Sequence, residues 1–471
     1  MRFLALMLLM AASAAAQVSI SGAVRLSGGI TIGQPVSVTS LTYAQAPIDN
    51  PLKGIAGNPA NGSSLANFPH SLLYVEASLR ACVTASNTYS WTALDSSLQT
   101  TTNDNSQAIV RFRLDDPAGS TLIPQYVLDS GIWTTNYYGT TLSPDYTNVI
   151  LRNCLTNFIA AFGARYDGDP RIAFVEMGLL MPWGEWDTGT WTDELYAHLP
   201  PLVTMQEVAW AYTNAFRTTK LMMRYPADSS NSNGEIPMPS NANLATGYYD
   251  DAFTTKTVPT NFWPVPFQPG SLYTLTMMHR AGSTNAWKTK VIGGETYYNQ
   301  GTCIFSNNAC VIEGQTWSNC VFSMHASFEH VPSVFYTNTY THGTNALWGA
   351  QILGYELYAQ QFSWYSNGNP VVSVVMTNTG VAPFYYNWQI ELRGLTNGTV
   401  AQTWYPTWQI ASIIPGDGSV TFTHTLTNAP ATPFTVLMRA VQPLSTGKQL
   451  RFANATMHQT TTNWLTLGTI N

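Results

Sequence analysis

The chain has 471 residues, of which 45% are hydrophobic, 12% aromatic and only 10% charged, and its net charge is −6. That length predicts two or three domains rather than one core, and so sparse and acidic a charge excludes a nucleic-acid partner, which needs a basic face. A poorly charged chain with 15 Trp and 24 Tyr suits contact with carbohydrate, and suits a thick β core equally well.

Residues 1–16 read as a secretory signal. Met1-Arg2 is the basic start, Phe3 to Ala12 the apolar run and Ala14-Ala15-Ala16 the small-residue cleavage site. The run is too short to span a bilayer, no Cys follows it to carry lipid, and no later segment is long enough to cross. The mature chain is expected to start near Gln17 and to be secreted or periplasmic. Residues 17–45, rich in Ser, Gly, Thr and Val, read as a linker or loose strands.

Asn50-Pro51-Leu52-Lys53-Gly54 marks an ordered start. Apolar runs then predict strands at Ser71–Leu79, Ala108–Leu114, Ile172–Met177, Lys220–Arg224, Leu244–Tyr249, Lys288–Gly293 and Val321–His325. Helical spacing predicts helices at Trp91–Leu98, Tyr146–Tyr166, Thr204–Thr218 and Asn345–Leu353. Alternating strands and helices imply a parallel sheet covered by helices, and no G-x-G-x-x-G follows the first strand, which disfavours a dinucleotide fold. The expected architecture is an α/β (β/α)8 TIM barrel over 46–353. Beyond Gly354 the pattern changes to alternating strands separated by turns such as Asn397-Gly398, and 354–471 is expected to be an all-β sandwich. The short join, without a Pro/Ser linker, predicts that the sandwich braces the barrel.

Cys303, Cys310 and Cys320 cluster in an exported chain, so at least one disulfide is expected among them. Neither C-x-x-C nor H-E-x-x-H occurs, and neither a metal nor a cofactor is expected.

Chemistry in such a barrel gathers at the C-terminal ends of the strands. The polar residues placed there by sequence are Arg80, Arg113, Asp115, Glu185, Arg224, Asp250, Asp251, Glu295 and His325. Glu185 stands out because Trp183-Gly184-Glu185-Trp186-Asp187 sets one carboxylate between two indoles. An indole face stacks on sugar rings, and a desolvated carboxyl can stay protonated as a general acid. A buried Trp pair with a salt-bridged Glu185 would give the same pattern. Glu295, in a Gly-flanked turn, is the second carboxylate that glycoside hydrolysis requires. Glu176 competes with Glu185 for the first role, but like Glu76 it falls within a strand, and each reads as a salt bridge inside the barrel. Asp250-Asp251 can bind sugar hydroxyls or cap the next helix.

Several motifs add a resemblance. Tyr89-Ser90-Trp91-Thr92-Ala93-Leu94-Asp95 followed by Val110-Arg111-Phe112 resembles a passage after the second barrel strand of β-galactosidase-type glycosidases. Asn50 to Gly54, Arg165-Tyr166, Gly168 to Arg171, Val175-Glu176, Trp183 to Trp186, Asp250-Asp251 and Gly293-Gly294-Glu295 are similar to an exported bacterial family of unknown function. That family joins a (β/α)8 barrel to a C-terminal β-sandwich, and the similarity covers about residues 46–471. The resemblance implies that Glu185 follows the fourth strand as acid/base and Glu295 follows the seventh as nucleophile, with retention. The chain departs from the clan in having Gly184 where Asn precedes the acid/base, and from the family in having Asp187 where His is frequent. The expected function is a secreted glycoside hydrolase acting on an oligosaccharide or polysaccharide, with Trp183, Trp186 and the polar residues above binding substrate. The alternatives are a non-catalytic glycan-binding protein and a surface-assembly protein on the same scaffold.

Overall fold

The computed structural model describes residues 24–25, 31–32, 37–116, 121–136, 142–186, 200–224, 244–259, 273–296, 304–305, 315–336, 343–456 and 463–471. The expected signal segment, Asp187, Cys303 and Cys310 lie outside the described residues.

Eight parallel strands form one sheet: Gly54–Ala56, Leu72–Ser78, Gln107–Arg113, Ile172–Glu176, Lys220–Met223, Thr246–Phe253, Ile292–Thr296 and Phe328–His330. Each is hydrogen-bonded to its neighbours in sequence order, and the eighth pairs with the first. The ring closes between the first and second strands, where Gly57 N donates to Leu72 O at 3.2 Å and Tyr74 N to Gly57 O at 2.8 Å. This is the expected TIM barrel. The fourth and sixth strands are buried at every position, as strands covered on both faces must be.

The helix Val149–Tyr166 shows why the outer layer forms. The Asn148 side chain caps its start, accepting from Ile150 N and Leu151 N. Leu151, Leu155, Phe158, Ile159 and Phe162 repeat on one face and are buried. Phe158 and Phe162 meet Phe112 of the third strand edge-on, at 4.8 and 5.1 Å between ring centres.

Three expectations are corrected. Val321–His325 is not a strand: Trp317–Met324 is a helix burying Trp317, Cys320, Val321 and Met324, and His325 caps it with φ 54. The spacing of those four residues is helical, and a short apolar run hid it. The eighth strand is instead Phe328–His330. The seventh strand is Ile292–Thr296, so Glu295 lies within it and not in a turn after it. Cys320 is a buried free thiol and takes no part in the expected disulfide.

The C-terminal region is two four-stranded antiparallel sheets. One orders Val420–Thr425, Asn369–Asn378, Leu357–Asn367 and Ser37–Ser40; the other orders Thr399–Trp404, Ile390–Thr396, Phe434–Ala440 and Leu465–Ile470. Ser37–Ser40, within the stretch read as a linker, thus pairs as an edge strand of the sandwich. The sandwich packs on the end of the barrel where strands begin. Tyr386 Oη donates to Ala173 O at 2.5 Å and accepts from Lys220 N at 3.0 Å. Gln442 Nε2 donates to Gln107 Oε1 at 3.2 Å. Buried Lys53 donates from Nζ to Tyr355 O at 3.0 Å and Gln351 O at 3.3 Å. The strand C-termini converge at the opposite end.

Candidate active site

The loop after the fourth strand is held rigidly. Leu179, Met181, Trp183, Gly184 and Trp186 all have left-handed φ, between 55 and 77, and so many such residues need a surrounding that over-determines them. That surrounding is present. Leu179 N donates to Phe112 O at 2.9 Å, Trp183 N to Asp115 O at 2.8 Å, and Met181 N to Tyr146 Oη at 2.8 Å. Tyr249 Oη of the sixth strand reaches Met177 O and Gly184 O, each at 3.2 Å. Only glycine fits at 184, where a Cβ would lie 2.8 Å from Phe112 O. Glu185 is thereby aimed into the barrel mouth.

Glu295 arrives from the seventh strand. A Cβ at Gly294 would lie 2.2 Å from Asp250 O, so glycine lets the sixth and seventh strands close up beside it. One carboxylate oxygen from each of Glu185, Asp251 and Glu295 lies within 4.8 Å of the other two.

The hub of the mouth is Arg111, a residue not expected there. Its buried guanidinium faces five carboxylates. Nη1 is 3.2 Å from Asp251 and 3.5 Å from Glu176; Nη2 is 3.4 Å from Glu76, 3.4 Å from Glu295 and 3.6 Å from Glu185. An Arg was expected beside Glu295, but among Arg80, Arg113 and Arg224. Arg111 and Arg113 share the inward face of the third strand, and Arg111 sits one pleat deeper, level with Glu76 and Glu176. The signal was an Arg inside the run Ala108-Ile109-Val110-Arg111-Phe112. His330, also missed, ends the eighth strand with Nδ1 3.0 Å from Glu295 Oε2.

These neighbours drive the two glutamates apart. Burial and the charge of Asp251 hold the Glu185 carboxyl well above its ordinary range against the pull of Arg111. Burial acts to raise Glu295 too, but Arg111 and His330 outweigh it and bring its carboxyl down to about 2. Burial raises Glu176 to about 8 and Asp251 to about 6, both against Arg111.

The other expected residues divide. Arg224 is at the mouth, 3.1 Å from Asp250 and 3.4 Å from Asp251. Asp250 also takes hydrogen bonds from Thr257 Oγ1 at 2.8 Å and Ala252 N at 3.0 Å, and so anchors Arg224 instead of facing the glutamates. Arg113 pairs with Glu76 at 3.3 Å, and Glu76 makes the salt bridges expected of it. Asp115 is buried beneath Trp183. Trp183 is half-buried on the loop. Trp186, expected beside it as a stacking face, is fully buried and donates from Nε1 to Gly178 O at 3.1 Å, so it supports the loop from below. Arg80 donates to Ile123 O and Gln125 Oε1 and holds a neighbouring loop. His325 is not at the mouth: it stacks on Trp287 and bonds Val381 O at 2.6 Å, against the sandwich.

The Glu185, Asp251 and Glu295 oxygens are close enough to hold a cation. The guanidinium groups of Arg111 and Arg224 already face these carboxylates, and they supply the positive charge that a metal would bring.

No family model and no curated protein matches the chain. Among solved structures, endo-glycoceramidase II from Rhodococcus sp. is similar at 13% identity and a TM-score of 0.38, covering 83% of this chain and 100% of that one. The catalytic domain of β-amylase from Paenibacillus polymyxa is similar at 11% identity and a TM-score of 0.37, covering 65% and 98%. A family 39 glycoside hydrolase from Bacteroides cellulosilyticus WH2 is similar at 10% identity and a TM-score of 0.36, covering 80% and 81%. The barrel gathers these carboxyl groups at the end where its strands finish, the end at which such a fold carries its chemistry.

Proposed function

We propose that this protein is an exported glycoside hydrolase that cleaves an oligosaccharide or polysaccharide with retention. Glu185 protonates the leaving oxygen, and Glu295 attacks the anomeric carbon to form a glycosyl-enzyme ester. Glu185, deprotonated by the first step, then takes a proton from water as that water hydrolyses the ester. The observation that carries this reading is one pair of carboxyl groups pushed in opposite directions at one mouth, Glu185 up and Glu295 down to about 2. Such divergence is how a site keeps an acid and a nucleophile at one pH. The approach of their oxygens to within 4.8 Å supports retention, for which carboxyl groups stand about 5–5.5 Å apart, over inversion at about 6.5–9.5 Å. Trp183 offers the sugar a stacking face, and Arg113 and Asp251 hydrogen-bond its hydroxyls.

A panel of 2,4-dinitrophenyl glycosides tests this, followed by trapping with the matching 2-deoxy-2-fluoro glycoside and mass spectrometry of the labelled peptide. Label on Glu295 is the expected result. Oligosaccharide binding without turnover of any glycoside would leave the non-catalytic reading in its place.

A further inference from the structure

Glu176 has no part in the hydrolysis proposed above, yet it is built into the machinery around Glu295. It ends the fourth strand and is 1% exposed. Its Oε2 accepts from the Tyr74 hydroxyl and lies 3.5 Å from Arg111 Nη1, while its Oε1 is buried without a hydrogen-bond partner. The Tyr74 ring lies flat on the His330 imidazole, 4.5 Å between centres and 13° between planes, and the Arg111 guanidinium sits 5.2 Å from the same ring's centre. His330 and Arg111 are the two groups that hold Glu295. Glu176 therefore touches one directly and the other through Tyr74.

The guanidinium is divided between two sides. Nη1 faces Glu176 and Asp251, and Nη2 faces Glu185, Glu295 and Glu76. A second full negative charge on the Nη1 side would compete for Arg111 and add repulsion toward Glu295.

We infer that Glu176 is a positioning residue for Glu295, acting as a neutral carboxylic acid that fixes Tyr74 against His330 and leaves Arg111 to the Glu185–Glu295 pair. Facing it are Tyr74, Arg111, Tyr249, Asp251, Glu295 and Glu329, from the second, third, sixth, seventh and eighth strands. Burial favours the neutral form of Glu176 most; Arg111, the one cation among these groups, and the Tyr74 hydroxyl act against it, while Asp251 and Glu295 act with it. The kinetic part of the test rests on the hydrolytic reading; the spectroscopic part does not.

Glu176→Ala is expected to lower kcat about 10²-fold with little change in KM, the cost of a misplaced nucleophile. Glu176→Gln keeps the shape of the neutral acid and is expected to restore most of that loss. A Gln variant as impaired as the Ala variant overturns the inference. Independently, the carbon-13 signal of the Glu295 carboxyl, assigned by its loss in Glu295→Gln, is followed through pH 8 without substrate. A step near pH 8 in wild type and none in Glu176→Gln is expected; no step in wild type overturns the inference whether or not any glycoside is turned over. If hydrolysis itself is the wrong reading, that step persists while every glycoside stays uncleaved.

Discussion

The two ends of the barrel spend the same residue types differently. At the mouth, Arg111 faces five carboxylates, several of them perturbed, on strand ends and on a loop of left-handed residues. At the base, Lys53 is just as buried but meets backbone carbonyls of the segment entering the sandwich, Gln351 O and Tyr355 O. Tyr386 and Gln442 likewise join backbone or amide groups at the starts of the third, fourth and fifth strands. A cation among carboxylates sets protonation states, whereas a cation on carbonyls only fastens one part to another. The mouth is thus where carboxyl groups are perturbed and the base is where barrel and sandwich are joined.

The contrast should show first in catalysis. Glu295→Gln is expected to lower kcat by about 10⁴-fold or more on every substrate, since removing a unit of such machinery disables the whole. Glu185→Gln is expected to cost about 10²–10⁴-fold on unactivated glycosides and far less on dinitrophenyl glycosides, whose leaving group needs little protonation. Equal losses on both substrate types would remove Glu185 from the acid role.

Next comes stability at the base. Lys53→Ala takes the donor from the buried Tyr355 carbonyl and the partly buried Gln351 carbonyl and leaves a cavity, for about 2–4 kcal/mol, read as a lowered midpoint in urea, with kcat at 25 °C unchanged. Limited proteolysis of wild type should fail to release a stable barrel, and clean release of an active 46–353 fragment would show that the base contacts are dispensable.

The ends also differ in pH dependence. Glu295 titrates near 2 when folded against an ordinary 4.5, so its contribution is complete above 4.5 and is lost as pH falls toward 2. Glu176 is raised to about 8, so the folded state keeps a proton that the unfolded state releases, and stability falls as pH rises from 4.5 to 8. Lys53 is lowered to about 8 from 10.5, so the unfolded state holds the extra proton and stability rises between those values. Denaturant midpoints of wild type, Glu176→Gln and Lys53→Met across that range separate the terms: the Gln variant should lose the decline to pH 8 and the Met variant the rise above it.

The smallest effect should come from Lys288–Asp417, an exposed ion pair at 2.8 Å that also joins barrel to sandwich. Asp417→Asn is expected to cost less than about 1 kcal/mol and to vanish in high salt.

The sequence alone determined the barrel, the sandwich and the identity of Glu185 and Glu295 as a pair worth testing. Apolar runs mark strands such as Ile172–Glu176 because both faces are covered, and a 3.6 period marks Val149–Tyr166 because one face is. Tertiary structure decided what depends on depth and register. Arg111, not Arg113, meets the glutamates because one pleat along the third strand separates the centre of the mouth from its rim. Trp186 is buried and Trp183 half-buried because the loop doubles back over the third strand. His330 replaced His325 because Trp317–Met324 folds as a helix against the barrel, and Ser37–Ser40 joined the sandwich through a partner more than three hundred residues away. Local spacing shows which residues share a face. Only closure of the ring brings residues from different strands within reach of one guanidinium, because those distances belong to no single segment.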